Sequence, residues 1–184
     1  MIFNRHQNKT DEELMILVKD KNHQAFSILY KRYADRLNAF FYRMLWSDRE
    51  MSEDFVHDLF SKIIKNPGLY DSSYQVKPWL FRIAANMCKN AYRKRDFERA
   101  YQEQHQVDDV FNQRSEEKID EVFLTDQVHQ MLDEMDDERK MIFLLRYQQE
   151  LPIDTIASML NMSAGTIKSR LFYTREKLKA MLKY

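Results

Sequence analysis

Cysteine, glycine and proline are scarce in this sequence, and it contains no long hydrophobic run. The single cysteine excludes an internal disulfide and is typical of a cytoplasmic protein, which is the location we expect. Two glycines and three prolines favour helices joined by short connections. No apolar run approaches the length of a membrane span, and the N-terminus lacks the apolar core of a signal peptide.

The same scarcity argues against an enzyme. Two isolated glycines cannot form a phosphate-binding loop or a dinucleotide fingerprint. The five histidines show no metal-ligand spacing with one another or with the cysteine. Cys88 follows Met87 in an apolar stretch, so we interpret it as a small buried thiol rather than a nucleophile. We therefore predict no catalytic residue, metal, cofactor or small-molecule substrate.

What the sequence does contain is charge, and the charge is segregated. The formal net charge is zero, and 44% of the residues are apolar, enough for a packed core. Lys and Arg outnumber Asp and Glu by 6 to 1 in residues 66–95 and by 6 to 2 in residues 151–184. The order reverses between these blocks, with 3 against 9 in residues 96–122 and 3 against 7 in residues 123–150. The two basic blocks are candidate sites for a polyanion, although many charge runs are only solvated faces.

Hydrophobic periodicity predicts an all-α chain with four helices in its first half. The first helix is capped by Thr10 or Asp11, and the second spans Gln24 to Trp46. The third follows a cap at Ser52 and ends at Asn66-Pro67-Gly68, and the fourth runs from Lys77 to Arg95 with Pro78 in its first turn. Trp79 lies among apolar residues of that helix and is predicted to belong to the core.

The apolar period is lost from Asp96 to about Val122. Residues Arg99 to Gln106 could form a frayed helix, but Gln, Asp and Glu dominate the segment, which we interpret as a linker. Helical pattern resumes at Leu124, and a further helix is predicted from Asp136 to Gln148. A short helix then starts at Pro152. No segment has the alternating period of a strand.

Residues 161–165 have the features of a tight turn between two helices. Asn161 is one of the few residues other than glycine that adopt a left-handed conformation, so it can end a helix sharply. The hydroxyl of Ser163 can accept from the free N–H groups that begin the next helix. Gly165 leaves little bulk at the start of that helix. A short helix, a tight turn and a second helix together predict a helix-turn-helix.

The second of these helices has one apolar and one polar face. Its apolar stripe consists of Ile167, Leu171, Leu178 and Leu182. The opposite face carries Thr166, Ser169, Arg170, Tyr173 and Lys177, and a flanking row carries Lys168, Phe172, Arg175 and Lys179. Hydroxyl and guanidinium groups near a helix N-terminus suit the DNA major groove, and flanking cations suit the phosphates. An ordinary amphipathic helix with a solvated basic face is the alternative.

The segment Leu151 to Leu178, LPIDTIASMLNMSAGTIKSRLFYTREKL, strongly resembles promoter-binding region four of bacterial sigma factors, above all the extracytoplasmic-function (ECF) group. The family pattern I-A-x-x-L, turn, S-x-G-T-I/V-K-S-R-L begins here at Ile156 and ends at Leu171. Three upstream strings resemble region two in order and spacing: Phe26 to Tyr33, Ser52 to Phe60, and Trp79 to Asn86. One string alone could belong to any helix-turn-helix regulator, whereas four in order are much more specific.

The sequence departs from the family pattern at two places. Asn161 stands where the family usually has glycine, and it is a mild substitute because it too adopts the left-handed conformation. His57-Asp58 stands where the family usually has Gln-Glu, which retains the negative charge and leaves the hydrogen-bonding role of His57 open.

The resemblance implies two small helical domains joined by a flexible acidic linker: residues 1–96 (region two), 97–122 (linker) and 123–184 (region four). It also implies a sigma factor that binds core RNA polymerase, recognises the minus-thirty-five and minus-ten promoter elements and promotes promoter opening. A membrane-linked anti-sigma factor is a further expected partner. A conventional helix-turn-helix regulator and a helical adaptor protein are the rival interpretations, but the regulator does not explain the aromatic and basic block at 70–95.

The resemblance assigns site residues in three groups. Contact with the duplex minus-thirty-five element falls on Ser163, Thr166, Lys168, Ser169, Arg170, Tyr173, Arg175 and Lys177. Contact with the single-stranded minus-ten element falls on Tyr70, Asp71, Ser72, Ser73, Tyr74, Lys77, Arg82, Asn86, Lys89, Asn90 and Arg93. Contact with polymerase falls on Asp54, His57, Asp58 and Lys62. Both tyrosines could instead be ordinary loop packing, and Phe55 and Phe60 are predicted to lie in the core.

Overall fold

The computed structural model describes residues 6–105 and 131–181, with side chains described to residue 101 and from residue 131 to residue 180. Within these ranges the chain is helical and contains no strand, which confirms the predicted all-α fold. The N-terminal unit contains α1 (Asp11–Lys19), α2 (His23–Met44), α3 (Arg49–Lys65) and α4 (Val76–His105). The C-terminal unit contains α5 (Asp137–Phe143), α6 (Ile153–Leu160) and α7 (Ala164–Met181). Most of the predicted linker, and the predicted helix start at Leu124, lie outside the described residues.

Helix α2 is the centre of the N-terminal unit because it packs on α1, α3 and α4. Aromatic rings fill these contacts. Phe40 meets Phe81 of α4 edge to face at 5.5 Å between ring centroids, and Phe41 meets Phe55 of α3 at 5.3 Å. Both α2 phenylalanines are fully buried, and each such side chain contributes about 1.5–3 kcal/mol by leaving water.

Helix α1 is attached to α2 by charged hydrogen bonds. Thr10, rather than Asp11, caps α1: its hydroxyl accepts from the Glu13 N–H at 3.2 Å, and the Glu13 carboxylate accepts from the Thr10 N–H at 2.8 Å. Asp11 instead accepts hydrogen bonds from the Arg32 guanidinium at 2.6 Å and from the Tyr33 hydroxyl. The acidic first turn of α1 therefore fixes its position on α2.

The N-cap of helix α3 is Asp48, four residues before the predicted cap, so the prediction of Ser52 as its N-cap was wrong. The side chain of Asp48 accepts from the Met51 N–H at 2.9 Å. Trp46 and Ser47 both have positive φ, at 56° and 59°, which ends α2 at Met44 and reverses the chain within a few residues. Ser52 is buried inside the first turn of α3, where its hydroxyl donates to a backbone carbonyl oxygen at 2.8 Å.

Helix α4 is longer than predicted, since it continues to His105 instead of ending at Arg95. The apolar period is lost in this extension, but a helix can be supported by charge pairs one turn apart. Lys94 and Glu98 form such a pair, at 3.7 Å. Phe97 is 74% exposed in the same segment, so the extension projects beyond the N-terminal core.

The C-terminal unit confirms the predicted helix-turn-helix. Asp136 caps α5 by accepting from the Arg139 N–H at 2.9 Å, and a π-helical turn, Leu144–Gln148, continues that helix. Asn161 ends α6 in the left-handed conformation, with φ 58° and ψ 49°. Helix α7 then buries its predicted stripe against α5 and α6; the described members of the stripe are Ile167, Leu171 and Leu178.

The two units contact each other in the described chain. Helix α4 packs on α6, and α2 packs on α5. Among the described residues, no helix has the length and apolar character needed to cross a membrane.

Candidate nucleic-acid interface

The turn before α7 fixes the position of that helix's exposed N-terminus. The hydroxyl of Ser163 accepts from the Thr166 N–H at 3.0 Å, which confirms the predicted cap. The Ser163 and Thr166 hydroxyl oxygens are also 2.8 Å apart, within hydrogen-bonding distance. The hydroxyl of Ser169 donates to the Thr166 carbonyl oxygen at 3.0 Å. Three hydroxyl groups are thus ordered along the first turns of α7, on the side that faces solvent.

The cations predicted to contact DNA lie on both flanks of the apolar stripe of α7. Arg170 and Lys177 share the flank of Thr166, whereas Lys168 and Arg175 lie on the other flank. Three of these cations are largely exposed, namely Lys168, Arg175 and Lys177. The ring of Tyr173 is also exposed, at 63%. Arg170 is half-buried, and its guanidinium donates to the Glu138 carboxylate of α5. The eight predicted residues are thus spread along α7 and its cap from Ser163 to Lys177, over about four helical turns. The Glu138 carboxylate that orients Arg170 was not indicated by the sequence.

Thr174 is a polar residue of α7 that the sequence pattern did not place in the core. It occupies the position between Leu171 and Leu178, where the apolar stripe has a gap of seven residues, and it is 2% exposed. Its hydroxyl has no hydrogen-bond partner within the described part of the chain. The spacing of four, three and four along this face is the signal that indicates a buried residue at this position.

The loop between α3 and α4 contains the residues predicted to contact single-stranded DNA. Tyr70 is buried, and its ring packs against Trp79 at 5.0 Å between centroids. Its hydroxyl donates to the Tyr74 carbonyl oxygen at 2.6 Å. Tyr74 itself is 56% exposed. In this loop Tyr74 presents a ring to solvent, whereas Tyr70 holds the loop in place, and Trp79 is confirmed as a core residue.

Asp71, Ser72 and Ser73 form the exposed tip of this loop. The Asp71 carboxylate accepts from the Ser73 N–H at 2.9 Å, an arrangement that stabilises tight turns. Hydrogen bonds from the Ser73 backbone and side chain lower the pKa of Asp71, and burial opposes them slightly. The carboxylate is therefore charged at neutral pH and available as an acceptor for amino groups on bases.

Helix α1 contacts both ends of this loop, and no local sequence signal indicates these contacts. The carboxylate of Glu12 accepts from the Val76 N–H at 3.1 Å and so caps the start of α4 from 64 residues away. The ammonium group of Lys19 lies over the Tyr70 ring, 5.5 Å from its centroid. The N-terminal helix thus positions the residues at both ends of the loop.

The outer face of α4 continues the surface of the loop. Its exposed members follow one another at helical spacing and are Arg82, Asn86, Asn90 and Arg93. Lys89 is half-buried beside them, whereas Lys77, which is also half-buried, lies on another side of the first turn of α4. Amides and cations arranged along a helix next to an exposed ring are suited to bases and phosphates of a single strand.

The residues predicted to contact polymerase share the solvent-facing side of α3. All four are exposed: Asp54, His57, Asp58 and Lys62. The His57 ring lies 6.4 Å from the ring of Tyr30 on α2, at the edge of an aromatic cluster. Phe60 is buried within that cluster and Phe55 packs partly buried against Phe41, so the prediction that both phenylalanines belong to the core is confirmed.

Cys88 is fully buried on the inner side of α4, as predicted. Burial raises the pKa of its thiol, and the negative charge of Asp137 raises it further. The group is therefore a neutral packing element.

These features define an all-helical protein of two units, each with an exposed cationic helix. The helix-turn-helix unit is suited to duplex DNA, and the other unit is suited to separated strands.

Two family models match the chain in the corresponding places. Residues 29–98 match "Sigma-70 region 2", and residues 125–178 match "Sigma-70, region 4". The chain therefore belongs to the sigma-70 family, in its ECF group. Members of this family are transcription initiation factors that act with RNA polymerase rather than catalysts.

Curated relatives extend the similarity over most of the chain. It is 28% identical to the ECF RNA polymerase sigma factor SigW of Bacillus subtilis over 178 residues, covering 90% of this chain and 93% of SigW. It is 26% identical to SigM of the same organism over 153 residues, covering 83% of this chain and 92% of SigM. The likeness thus includes both units.

Two solved structures have the same fold. CnrH in complex with the cytosolic domain of CnrY matches with a TM-score of 0.69 at 21% identity, over 94% of this chain and 97% of CnrH. The sigma factor RpoE in complex with the anti-sigma factor NepR from Bartonella quintana matches with a TM-score of 0.68 at 22% identity, over 86% of this chain and 96% of that sigma factor.

Proposed function

We propose that the two units divide promoter recognition between paired and separated bases. The C-terminal unit would contact the duplex minus-thirty-five element through α7, and the N-terminal unit would capture the non-template strand of the minus-ten element. The observation that carries this proposal is the presence, in one chain, of a capped basic recognition helix and a basic helix α4 preceded by a loop with an exposed tyrosine.

Duplex contact is supported by the chemistry at the start of α7. Ser163, Thr166 and Ser169 supply hydroxyl groups that can donate to or accept from base edges and phosphates. Arg170 supplies a planar guanidinium that can donate hydrogen bonds to two acceptors of guanine. The hydrogen bond to Glu138 would orient this group toward DNA. Lys168, Arg175 and Lys177 would contact phosphates and fix the register.

Strand capture is supported by the loop before α4. The exposed Tyr74 ring can stack on an unpaired base, and the charged Asp71 with Ser72 and Ser73 can hydrogen-bond a base edge. The amides and cations of α4 would then contact the backbone of the strand. Because these groups bind only separated bases well, they shift the equilibrium toward the opened promoter.

Polymerase binding is assigned to the exposed face of α3. Two carboxylates, Asp54 and Asp58, lie one helical turn apart there, with His57 and Lys62 beside them. A surface of this charge complements a basic helix on the polymerase. The chain itself would have no catalytic role and would act in the cytoplasm, where polymerase and promoter DNA are found.

An anti-sigma factor is a further proposed partner. CnrH and the Bartonella RpoE, which share this fold, were both solved with a bound partner, CnrY or the anti-sigma factor NepR. The similarity of fold over nearly the whole chain supports a partner of the same kind for this protein.

Run-off transcription with purified components tests the proposed function. Sequencing transcripts after overexpression in cells supplies the templates, namely the promoters whose output rises. Core polymerase plus this protein should then produce RNA from one discrete start on such a template, and core polymerase alone should not. A requirement for another sigma factor would identify a conventional regulator, and an absence of DNA binding would identify an adaptor.

A further inference from the structure

The cations proposed to contact the minus-ten strand all lie on α4, which follows the recognition loop (residues 70–76) in the chain; they are Lys77, Arg82, Lys89 and Arg93. A base that stacks on Tyr74 is joined to a phosphate on each of its two sides. The cations of α4 serve the part of the strand that runs along α4 from Val76 onward. The phosphate at the Tyr70 end of the loop needs a cation from another helix.

Lys19 of α1 lies at that end of the loop. It belongs to the last turn of α1 and is partly exposed. Its ammonium group is 5.5 Å from the centroid of the Tyr70 ring. The Tyr70 hydroxyl in turn donates to the Tyr74 carbonyl oxygen at 2.6 Å. Two contacts thus connect the ammonium group of Lys19 to the backbone of the residue that is proposed to stack on a base.

The charge of Lys19 also acts on the tip of the loop. Hydrogen bonds from Ser73 lower the pKa of Asp71 most, and the positive charge of Lys19 lowers it further. A charged Asp71 repels the phosphates next to a base that it binds, and a nearby cation offsets this repulsion. Among the described residues, no carboxylate forms an ion pair with Lys19. Its N–H donors are therefore available to a phosphate.

The position of Lys19 is fixed before DNA binds. In the first turn of α1, Asp11 accepts hydrogen bonds from Arg32, at 2.6 Å, and from Tyr33. Glu12 accepts from the Val76 N–H at 3.1 Å. Because α1 is a single helix of nine residues, these bonds also hold its last turn in place. A cation that is already positioned loses less entropy when it binds its ligand.

We propose that Lys19 binds a backbone phosphate of the minus-ten non-template strand, at the Tyr70 end of the recognition loop. This inference rests on the proposed capture of the strand by that loop, and it extends the path of the strand onto α1. A phosphate contact adds affinity for every sequence, whereas the tip of the loop selects the base. The strand is thus held by cations on both sides of the base that stacks on Tyr74.

The salt dependence of strand binding tests whether Lys19 contacts a phosphate. Fluorescence anisotropy measures the affinity of the holoenzyme, core polymerase plus the full chain, for a labelled single strand carrying the minus-ten element. Each phosphate contact adds about 0.7 to the slope of log affinity against log salt for a single strand. The affinity lost in Lys19→Gln should therefore shrink by about 2.6-fold as salt rises from about 0.1 to 0.4 M. Lys19→Arg should retain the unmodified slope, and an unchanged slope for Lys19→Gln would overturn the proposal.

A double-mutant cycle between Lys19 and single phosphates excludes an indirect effect through Tyr70. Each phosphate of the strand is replaced in turn by a neutral methylphosphonate. At the contacted phosphate, the replacement should weaken binding of the unmodified protein at least about twofold more than binding of Lys19→Gln. A loosened loop would instead weaken binding to all strands alike. Equal effects on the two proteins at every phosphate would overturn the proposal.

Lys31→Gln is the matched control for both experiments. It removes an exposed cation of α2 that has no proposed contact with DNA or polymerase. Its salt slope and its response to each neutral linkage should equal those of the unmodified protein. A loss of slope as large as that of Lys19→Gln would show that the effect comes from net charge alone, and would also overturn the proposal.

Failure of this inference differs from failure of the proposed function. If the unmodified holoenzyme binds the strand and opens the promoter, but Lys19→Gln has the same slope and the same response to each neutral linkage, the Lys19 contact is refuted and the function stands. If the unmodified holoenzyme does not bind the strand, both are refuted, because the contact requires strand capture.

Discussion

The guanidinium of Arg170 on α7 donates a hydrogen bond to the carboxylate of Glu138 on α5, 32 residues earlier in the chain, and forms an ion pair with it. A carboxylate behind an arginine restricts its rotamers, so the side chain loses less entropy when it meets a base. The same carboxylate also competes with DNA for the guanidinium. The pair therefore sets both the direction and the availability of the group expected to contact a base.

We expect Arg170→Ala to weaken binding of the minus-thirty-five duplex by about 1–3 kcal/mol and to relax specificity at one position. Fluorescence anisotropy with the promoter duplex and with single-base variants measures both effects. Lys177→Ala is the control for a phosphate contact, which should weaken binding to every sequence about equally. An equal loss on all sequences for Arg170→Ala would assign it to the backbone instead.

Tyr74→Ala should impair strand opening more than duplex binding. Stacking of a base on an aromatic ring contributes about 1–3 kcal/mol, and Tyr74 is the loop tyrosine with an exposed ring. Permanganate footprinting of the promoter with polymerase measures the opened thymines. Tyr70→Phe retains the ring packed on Trp79 but removes the hydroxyl bonded to Tyr74, so it should have a smaller effect, of about 0.5–1.5 kcal/mol. Footprints unchanged by Tyr74→Ala would contradict the stacking role.

The local features of the fold were accessible from the sequence because each depends on a few adjacent residues. Asn161 was predicted to be left-handed, and Ser163 to be a cap, from the chemistry of single side chains, and both are confirmed. The apolar stripe of α7 followed from periodicity in the same way. The start of α3 could not be predicted in this way, because it depends on left-handed conformations at Trp46 and Ser47. Neither residue is a glycine or an asparagine, the types that usually mark such a conformation.

Contacts between distant parts of the chain were beyond sequence reasoning. The bonds from Glu12 to Val76 and from Glu138 to Arg170 join residues on different helices, and neither partner has a local pattern that indicates the other. The extension of α4 past Arg95 was missed for a related reason. A helix of that composition lacks an apolar stripe and is supported by surface pairs such as Lys94–Glu98.

Glu12→Ala should destabilise the N-terminal unit and loosen the recognition loop. It leaves the N–H of the fully buried Val76 without its cap, at a cost of about 0.5–2 kcal/mol. Urea unfolding measures the loss, and hydrogen exchange of the loop residues 70–76 should accelerate. Glu50→Ala, at the exposed first turn of α3, is the control and should change stability less. Equal stability of the two variants would show that the cap contributes nothing.

Alkaline pH should destabilise the protein in two stages. Burial raises the pKa of Cys88, Tyr33 and Tyr92 in the folded protein, and Asp11 raises that of Tyr33 further. The unfolded chain loses these protons first, near pH 8.5 for cysteine and near pH 10 for tyrosine. The three groups therefore make their full contribution to the free energy of unfolding below about pH 8.5. As pH rises further, that free energy falls by up to about 1.4 kcal/mol per pH unit for each group.

Urea unfolding at pH 7, 9 and 10.5 measures this dependence. The Cys88→Ala variant separates the two stages, since it removes the loss that begins near pH 8.5 and retains the loss that begins near pH 10. In the unmodified protein, Cys88 should also react with an aromatic disulfide reagent only as fast as the chain opens, because the buried thiol is neutral at pH 8. A free energy of unfolding that stays constant from pH 7 to 10.5 would show that these groups are hydrated in the folded protein.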